Sequence, residues 1–337
     1  MKAITYTRFG PPDVLQIQEL EKPTPLDNEV LIRIHATTVE REDPGMRSSP
    51  GFNGLIRPKN PILGAELAGT IEAVGTAVTR FHRGDRVFGN TGMRLGTYAE
   101  YTCVPETGAL AFLPDGTSFV EGAALTNGVL TALPFLRDLG GVGRGQRVLV
   151  YGASGSVGTA AVQLARAFGA RVTGVCGTAN QDLVRSLGAE RVVDYTGEGF
   201  SIESLSRQDS SREGLPRSGE LYDIVFDTVG KISFSRSKHL LKPDGIYLAT
   251  VPSPAILVQW LWTSRFGGRK VRFAATGLRP PALKAGDLAF LQELLERGKI
   301  KAVIDRTYPP ERIADAHRYV ADGHKRGSVV IDWGEGS

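Results

Sequence analysis

The chain has 337 residues, of which 41 are glycine, a share well above the usual roughly 7%, and this points to tight turns and close approach of backbone to something else. Forty Lys and Arg against 36 Asp and Glu leave a net charge of +4 with no basic block or stripe, so a nucleic-acid partner is not expected, and 41% hydrophobic with 23% charged residues excludes disorder, collagen and coiled coil. The two cysteines, Cys103 and Cys176, cannot build a disulfide framework or a four-cysteine zinc site, the N-terminus lacks a signal-like apolar stretch, and no apolar run approaches the ~20 residues of an integral membrane segment; a cytoplasmic protein is expected.

The length suggests about two domains. Up to about residue 121 the chain reads as short strands, such as 30–34 and 69–74, separated by Gly and Pro turns, hence a mostly β domain. From about residue 145 strands and helices alternate: strand 147–151, helix 157–168, strand 170–175, helix 182–187, strand 191–193, strand 222–226, helix 233–241 and strand 245–250. That order implies a parallel sheet with right-handed crossovers. Residues 200–220 are polar and read as an exposed, mobile insertion. Residues 285–297 and 310–321 read as amphipathic helices, and 328–331 as a last strand.

Between the strand at 147–151 and the following helix lies Gly152-Ala153-Ser154-Gly155-Ser156-Val157-Gly158. Gly152 permits a sharp turn, Gly155 lets backbone approach a pyrophosphate, and Gly158 lets the helix pack on the strand, while the helix N-terminus offers unpaired N–H groups to the phosphates. The alternative is a tight strand-helix turn with no ligand. At the end of the second strand, where NAD enzymes place an acid on the ribose, the run from Thr173 to Asn180 contains neither Asp nor Glu. Its absence favours NADPH, with Cys176, Gly177, Thr178 and Asn180 around the ribose and Arg185 as a more distant charge. A loosely held ribose serving either cofactor is the alternative.

The order of motifs resembles the medium-chain dehydrogenase/reductase superfamily, in its zinc-free quinone oxidoreductase branch, across nearly all of the chain. Pro61-Ile62-Leu63-Gly64-Ala65-Glu66-Leu67-Ala68-Gly69, Gly84-Asp85-Arg86-Val87-Phe88-Gly89, Gly96-Thr97-Tyr98-Ala99-Glu100-Tyr101, the glycine loop and Phe226-Asp227-Thr228-Val229-Gly230 carry the likeness. It implies a mixed α/β fold: a GroES-like, mostly β catalytic domain from residues 1–122 and 273–337, with an inserted Rossmann domain, a doubly wound parallel sheet, at 123–272. A homodimer with the active site in a cleft is further implied. Zinc-dependent members carry Cys and His where this chain has Glu40 and Ala65, and Gly89 to Tyr98 lacks the cysteines of a structural zinc lobe, so no metal is expected.

The same resemblance places Thr131 beside the nicotinamide, Tyr195 near the adenosine phosphate, Val229, Gly230, Thr250 and Val251 along the ribose and carboxamide, and Lys325 in a basic turn approaching the cofactor. Lys325 as a solvated surface charge is the alternative. Glu40, Asp43 and Thr131 form the candidate catalytic set, although Glu40 paired with Arg41 or Arg47 is an equal reading. Without a Lewis acid, hydride transfer favours quinones and α,β-unsaturated carbonyls, whose developing charge spreads onto a distant oxygen. A noncatalytic NADPH-binding protein is the competing function. The apolar segment from Ala255 to Trp262, followed by Arg265, Arg269, Lys270 and Arg272, reads as pocket wall, dimer contact or membrane-surface contact.

Overall fold

A computed structural model describes residues 1–197, 200–202, 205 and 221–334. The chain divides into two compact units, Met1–Leu130 with Gly277–Ser337, and Thr131–Thr276. The first opens with β1 (Lys2–Thr5) and β2 (Gln16–Glu19), an antiparallel ribbon, then β3 (Glu29–Val39), α1 (Glu42–Ser48), β4 (Glu66–Val74), β5 (Arg86–Asn90), β6 (Tyr101–Pro105) and β7 (Ala109–Phe112). β3 is rich in Val, Ile and Thr and buried along almost its whole length, so it forms the centre of the sheet rather than an edge.

Helix α2 (Phe119–Leu133) starts at a reciprocal cap in which the Ser118 N–H donates to Glu121 Oε2 at 2.9 Å and the Glu121 N–H donates to Ser118 Oγ at 3.2 Å. Its continuation makes Phe119–Leu139 the one described helix long and apolar enough to cross a bilayer, a correction to the sequence expectation. The most apolar window of that helix is 72% buried inside the protein, which accounts for its composition.

The second unit alternates strand and helix: β8 (Arg147–Tyr151), α3 (Ser156–Ala167), β9 (Arg171–Cys176), α4 (Gln181–Ser186), β10 (Arg191–Asp194), β11 (Tyr222–Asp227), α5 (Phe234–Ser237), β12 (Leu241–Ala249), α6 (Pro254–Arg265) and β13 (Lys270–Phe273). All six strands run parallel in the order β10-β9-β8-β11-β12-β13. This is the doubly wound Rossmann sheet, with β8 and β9 as its first two strands and the reversal of direction beside β8. The single helix expected over 233–241 is instead one turn of α5 followed by a 3-10 turn, Lys238–Leu240, because β12 begins at Leu241. Helix α6 carried its own signature, Ser253 with Pro254 behind it, and Ser253 Oγ accepts the Ile256 N–H at 3.2 Å.

The reading of residues 200–220 as an exposed insertion is corrected at its start. Ile202 and Leu205 are buried, and with Phe200 they pack against the core of the sheet around Val193, Tyr222 and Leu240. The rest of that segment lies outside the described residues.

The chain then returns to the first unit through α7 (Pro281–Glu296), β14 (Ile304–Tyr308), α8 (Ile313–Ala321) and β15 (Ser328–Asp332). Its seven-stranded sheet has the order β14-β15-β3-β4-β5-β7, with β6 paired to β3, which is the GroES-like arrangement. One end of it is packed by Ile4, Tyr98 and Ile313, the other by Ile32, Leu67 and Phe81.

Candidate cofactor and active site

The glycine loop follows directly from the chain entering α3. Gly152 has φ +82°, in the left-handed region that favours glycine, and its N–H and that of Ala153 both donate to the Val175 carbonyl at 3.0 Å, which pins the turn against β9. At Gly158 a Cβ would overlap the Gly152 carbonyl oxygen and the backbone of Ala153, so only glycine allows α3 to approach this closely. Gly155 differs: a Cβ there would meet nothing nearer than the Gly152 oxygen at 3.7 Å. The helix beyond it has no side-chain cap, and Ser154, Ser156 and Val157 complete the loop. An uncapped helix N-terminus beside open space at a glycine fits a dinucleotide pyrophosphate.

At the ribose end the structure adds a residue that reading along one strand could not find. Asp194, the last residue of β10, stands in register opposite Cys176, the last residue of β9. Its Oδ2 accepts the Thr178 hydroxyl and, at 3.3 Å, Gln181 Nε2, while its Oδ1 accepts the Thr196 N–H at 2.8 Å and hydroxyl at 2.6 Å. Burial raises this carboxyl, but the hydrogen bonds from Thr178, Thr196 and Gln181 outweigh burial and leave it below its ordinary value. Thr173 to Asn180 is free of acid in sequence, yet in space an acid touches Thr178. Asn180 Nδ2 donates to Ser154 Oγ at 3.3 Å, and Tyr195, 43% exposed, lies beside Gly177.

At the carboxyl ends of β11 and β12 the expected residues do come together. Asp227 accepts the N–H groups of Val229 and Gly230 at 3.1 and 2.9 Å, its carbonyl accepts from the Thr250 N–H at 3.2 Å, and Gly230 at φ +70° packs against Val251. A cavity of about 280 Å³ opens there, bounded by Gly230, Val251, Ser253 and Ile256. Neither Trp260 nor Trp262 lines it. Both are exposed, at 38% and 66%, together with Leu257, Val258 and Leu261, while Ala255, Ile256 and Gln259 of the same segment do line the cavity. Thr131 stands on α2, partly buried.

In the first unit the structure joins two residues that were singled out separately. Lys325 Nζ lies 3.0 Å from Glu40 Oε2, with only 11% and 3% of the two side chains exposed, and also donates to the Gly327 carbonyl at 3.1 Å. The partner of Glu40 is therefore neither Arg41 nor Arg47, and Lys325 is not a solvated surface charge. Glu40 Oε1 is buried without a partner. Three residues on, Asp43 Oδ2 accepts the Glu40 N–H at 2.8 Å and the Tyr98 hydroxyl at 2.9 Å.

Burial first, and the neighbouring carboxylates Glu42 and Glu40 next, push Asp43 up to about 8 from an ordinary 3.8. Between about pH 4 and 8 the unfolded chain therefore gives up a proton that the folded chain keeps, and Asp43 makes stability fall as pH rises through that window. Asp43→Asn keeps an oxygen acceptor for Tyr98 and removes the titration. The loss of melting temperature between pH 5 and pH 8.5 should be smaller in this variant than in the unsubstituted chain; an equal loss would show that Asp43 ionises normally.

Zinc does not fit this donor set. Glu40 is taken by an ammonium group, Ala65 offers no ligand, and among the described residues no three His, Cys, Asp or Glu side chains are placed to hold a metal. Beside Ala65, whose carbonyl accepts the Thr91 N–H at 2.8 Å, a cavity of about 660 Å³ opens, bounded by Asn90, Thr91, Leu95, Cys103, Leu278 and Lys284. Lys284, 6% exposed, donates to Gly277 O at 2.9 Å and Asn90 Oδ1 at 3.3 Å, and Asn90 in turn donates to Glu66 Oε1 at 2.9 Å. None of Asp194, Lys284 or Asn90 was expected. Asp194 alone left a signal, as the acid preceding Tyr195.

Residues 26–115 match the model of the alcohol dehydrogenase GroES-like domain and residues 187–331 that of a zinc-binding dehydrogenase. The chain is 32% identical to a chloroplastic quinone-oxidoreductase homolog of Spinacia oleracea, over 98% of both chains. Among solved structures it resembles a quinone oxidoreductase from Coxiella burnetii, with 27% identity, TM-score 0.82 and coverage of 98% and 99% of the two chains. A mycobacterial protein solved with NADPH is 27% identical, with TM-score 0.79 and coverage of 98% and 99%. The chain belongs to the medium-chain dehydrogenase/reductase superfamily, in its quinone oxidoreductase branch. It is an NAD(P)H oxidoreductase of the quinone oxidoreductase kind.

Proposed function

We propose that the chain reduces quinones or α,β-unsaturated carbonyls with NADPH, without a metal, and that Glu40, Asp43, Lys325 and Thr131 serve the reaction. The observation that carries this is the buried Glu40–Lys325 pair at the position where zinc-dependent relatives hold a metal ligand. An ammonium there is a hydrogen-bond donor rather than a Lewis acid, so the acceptor must be one whose developing charge spreads onto an oxygen within reach of such donors. Bound nicotinamide supplies the hydride. Lys325 Nζ keeps a proton available for the acceptor oxygen, and Glu40 holds that ammonium in place. The backbone N–H groups at the start of α3 hold the pyrophosphate, and Cys176, Gly177, Thr178, Asn180, Tyr195, Val229, Gly230, Thr250 and Val251 line the remainder of the cofactor.

The 660 Å³ cavity of the first unit takes the lipophilic body of the acceptor. NADPH is supported by the mycobacterial relative solved with it. A cytoplasmic location fits Cys103 and Cys176 remaining free thiols. The test is NADPH oxidation followed by absorbance with ortho- and para-quinones and enones. Turnover of at least one class, undiminished by a chelator, is expected; binding of NADPH without turnover of any acceptor would leave a noncatalytic binder.

A homodimer is proposed through the exposed apolar face of α6. Trp260→Ala with Trp262→Ala should give a monomer by light scattering with NADPH affinity unchanged, since neither side chain belongs to the cofactor-binding loops. A variant that stays dimeric would remove α6 from the interface.

A further inference from the structure

We infer that Asp194 sets the cofactor selectivity of this chain, by fixing a carboxylate where the 2′-phosphate of NADPH would bind and so keeping NADPH and NADH close in affinity. The inference rests on the reading of the chain as an NAD(P)H oxidoreductase.

In a doubly wound sheet the adenosine ribose sits at the carboxyl end of the second strand, and an acid there favours the 2′-hydroxyl of NADH. Here the second strand, β9, ends without one. The acid comes from the adjacent strand, β10, whose Asp194 is the register partner of the last residue of β9. Thr178, two residues beyond that end, already donates its hydroxyl to Asp194, so it is an occupied donor. Four hydrogen bonds, from Thr178, Gln181, and the N–H and hydroxyl of Thr196, hold the carboxylate in place. Swinging aside would break all four of these hydrogen bonds at once.

A cation could cancel this charge. The one basic residue of α4, Arg185, is engaged by Asp182 at 3.0 Å and by Gln181 at 2.8 Å. Ala179 is neutral, and among the described residues no Lys or Arg is hydrogen-bonded to Asp194 or Thr178. A ribose hydroxyl can donate to this carboxylate, whereas a 2′-phosphate brings a like charge against it at short range. The favourable donors Asn180 and Tyr195 and the opposing carboxylate thus act on the same group.

The experiment is fluorescence titration of the full chain with NADPH and with NADH, for the unsubstituted protein and for Asp194→Asn, whose one carbonyl oxygen keeps an acceptor for Thr196 while its NH2 faces the Thr178 hydroxyl, and which loses the charge. The unsubstituted chain should bind the two cofactors within about tenfold of each other. In Asp194→Asn, NADPH should tighten about tenfold while NADH changes less than threefold. Asp194→Ser gives the same reading should the asparagine variant fail to fold. An unchanged NADPH-to-NADH ratio in the folded variants would overturn the inference alone. Failure of both cofactors to bind the unsubstituted chain would overturn the oxidoreductase reading with it.

Discussion

Gly155→Val should abolish useful NADPH binding, raising Kd at least 100-fold, which is about 2.8 kcal/mol, while leaving the fold intact. Gly155 has φ −78° and ψ 175°, an extended conformation that valine adopts readily, and a Cβ there meets only the Gly152 oxygen at 3.7 Å. The isopropyl group would fill the space beside the uncapped N-terminus of α3, so the pyrophosphate loses its hydrogen bonds to those N–H groups. Charge-assisted bonds are worth about 1.5–3 kcal/mol each, and losing two accounts for the magnitude. Valine in place of glycine at a helix N-cap costs no more than about 1 kcal/mol. Gly158→Ala is the contrast. Its Cβ would collide with the Gly152 carbonyl, so it should lower the melting temperature before affinity can be measured. Unchanged NADPH affinity in a folded Gly155→Val variant would mean that the pyrophosphate lies elsewhere.

Lys325→Met should destabilise the first unit by about 3–5 kcal/mol, the usual consequence of removing one partner from a buried ion pair. Glu40 would then be a carboxylate with 3% of its side chain exposed and neither oxygen compensated, since Oε1 has no partner even with Lys325 in place. Adding Glu40→Gln to Lys325→Met removes the stranded charge and should recover most of the loss. Urea unfolding of the single and double variants, with NADPH oxidation in parallel, checks both. Recovery of stability without recovery of turnover is expected, because the proton on Nζ is absent from both variants. A single variant as stable as the unsubstituted chain would show that Glu40 is solvated.

The Rossmann half was legible because its signals are local. Strand 147–151 was read with the bounds it has, and α3 with bounds shifted by one residue, from β-branched runs and glycine spacing alone. Gly155 and Gly158 could be given different tasks because the strand-loop-helix order constrains each of them. What escaped was whatever depends on neighbours distant in sequence. Asp194 reaches Thr178 only because β10 lies beside β9, and the search for an acid along one strand could not see the next. The Glu40–Lys325 pair spans 285 residues, and although both residues were singled out, no local pattern links them. The cavity at Lys284 and Asn90 likewise needs α7 folded back over β7 before it exists. Residues 200–202 and 205 were misread for a related reason. Phe200, Ile202 and Leu205 are too few to set a period, yet they suffice to anchor a short stretch to a core.

The most direct measurement of the central claim is transfer of label from the cofactor to an acceptor. NADPH carrying deuterium at the transferable C4 position is incubated with the full chain and a lipophilic enone, and the product is analysed by mass spectrometry and proton NMR. Quinones suit this less well, because the hydroquinone O–H exchanges with water. The account predicts one deuterium per molecule of product, at the carbon β to the carbonyl, with the α hydrogen drawn from solvent. Consumption of NADPH without deuterium in the product, or binding of NADPH with no product from any enone offered, would contradict it.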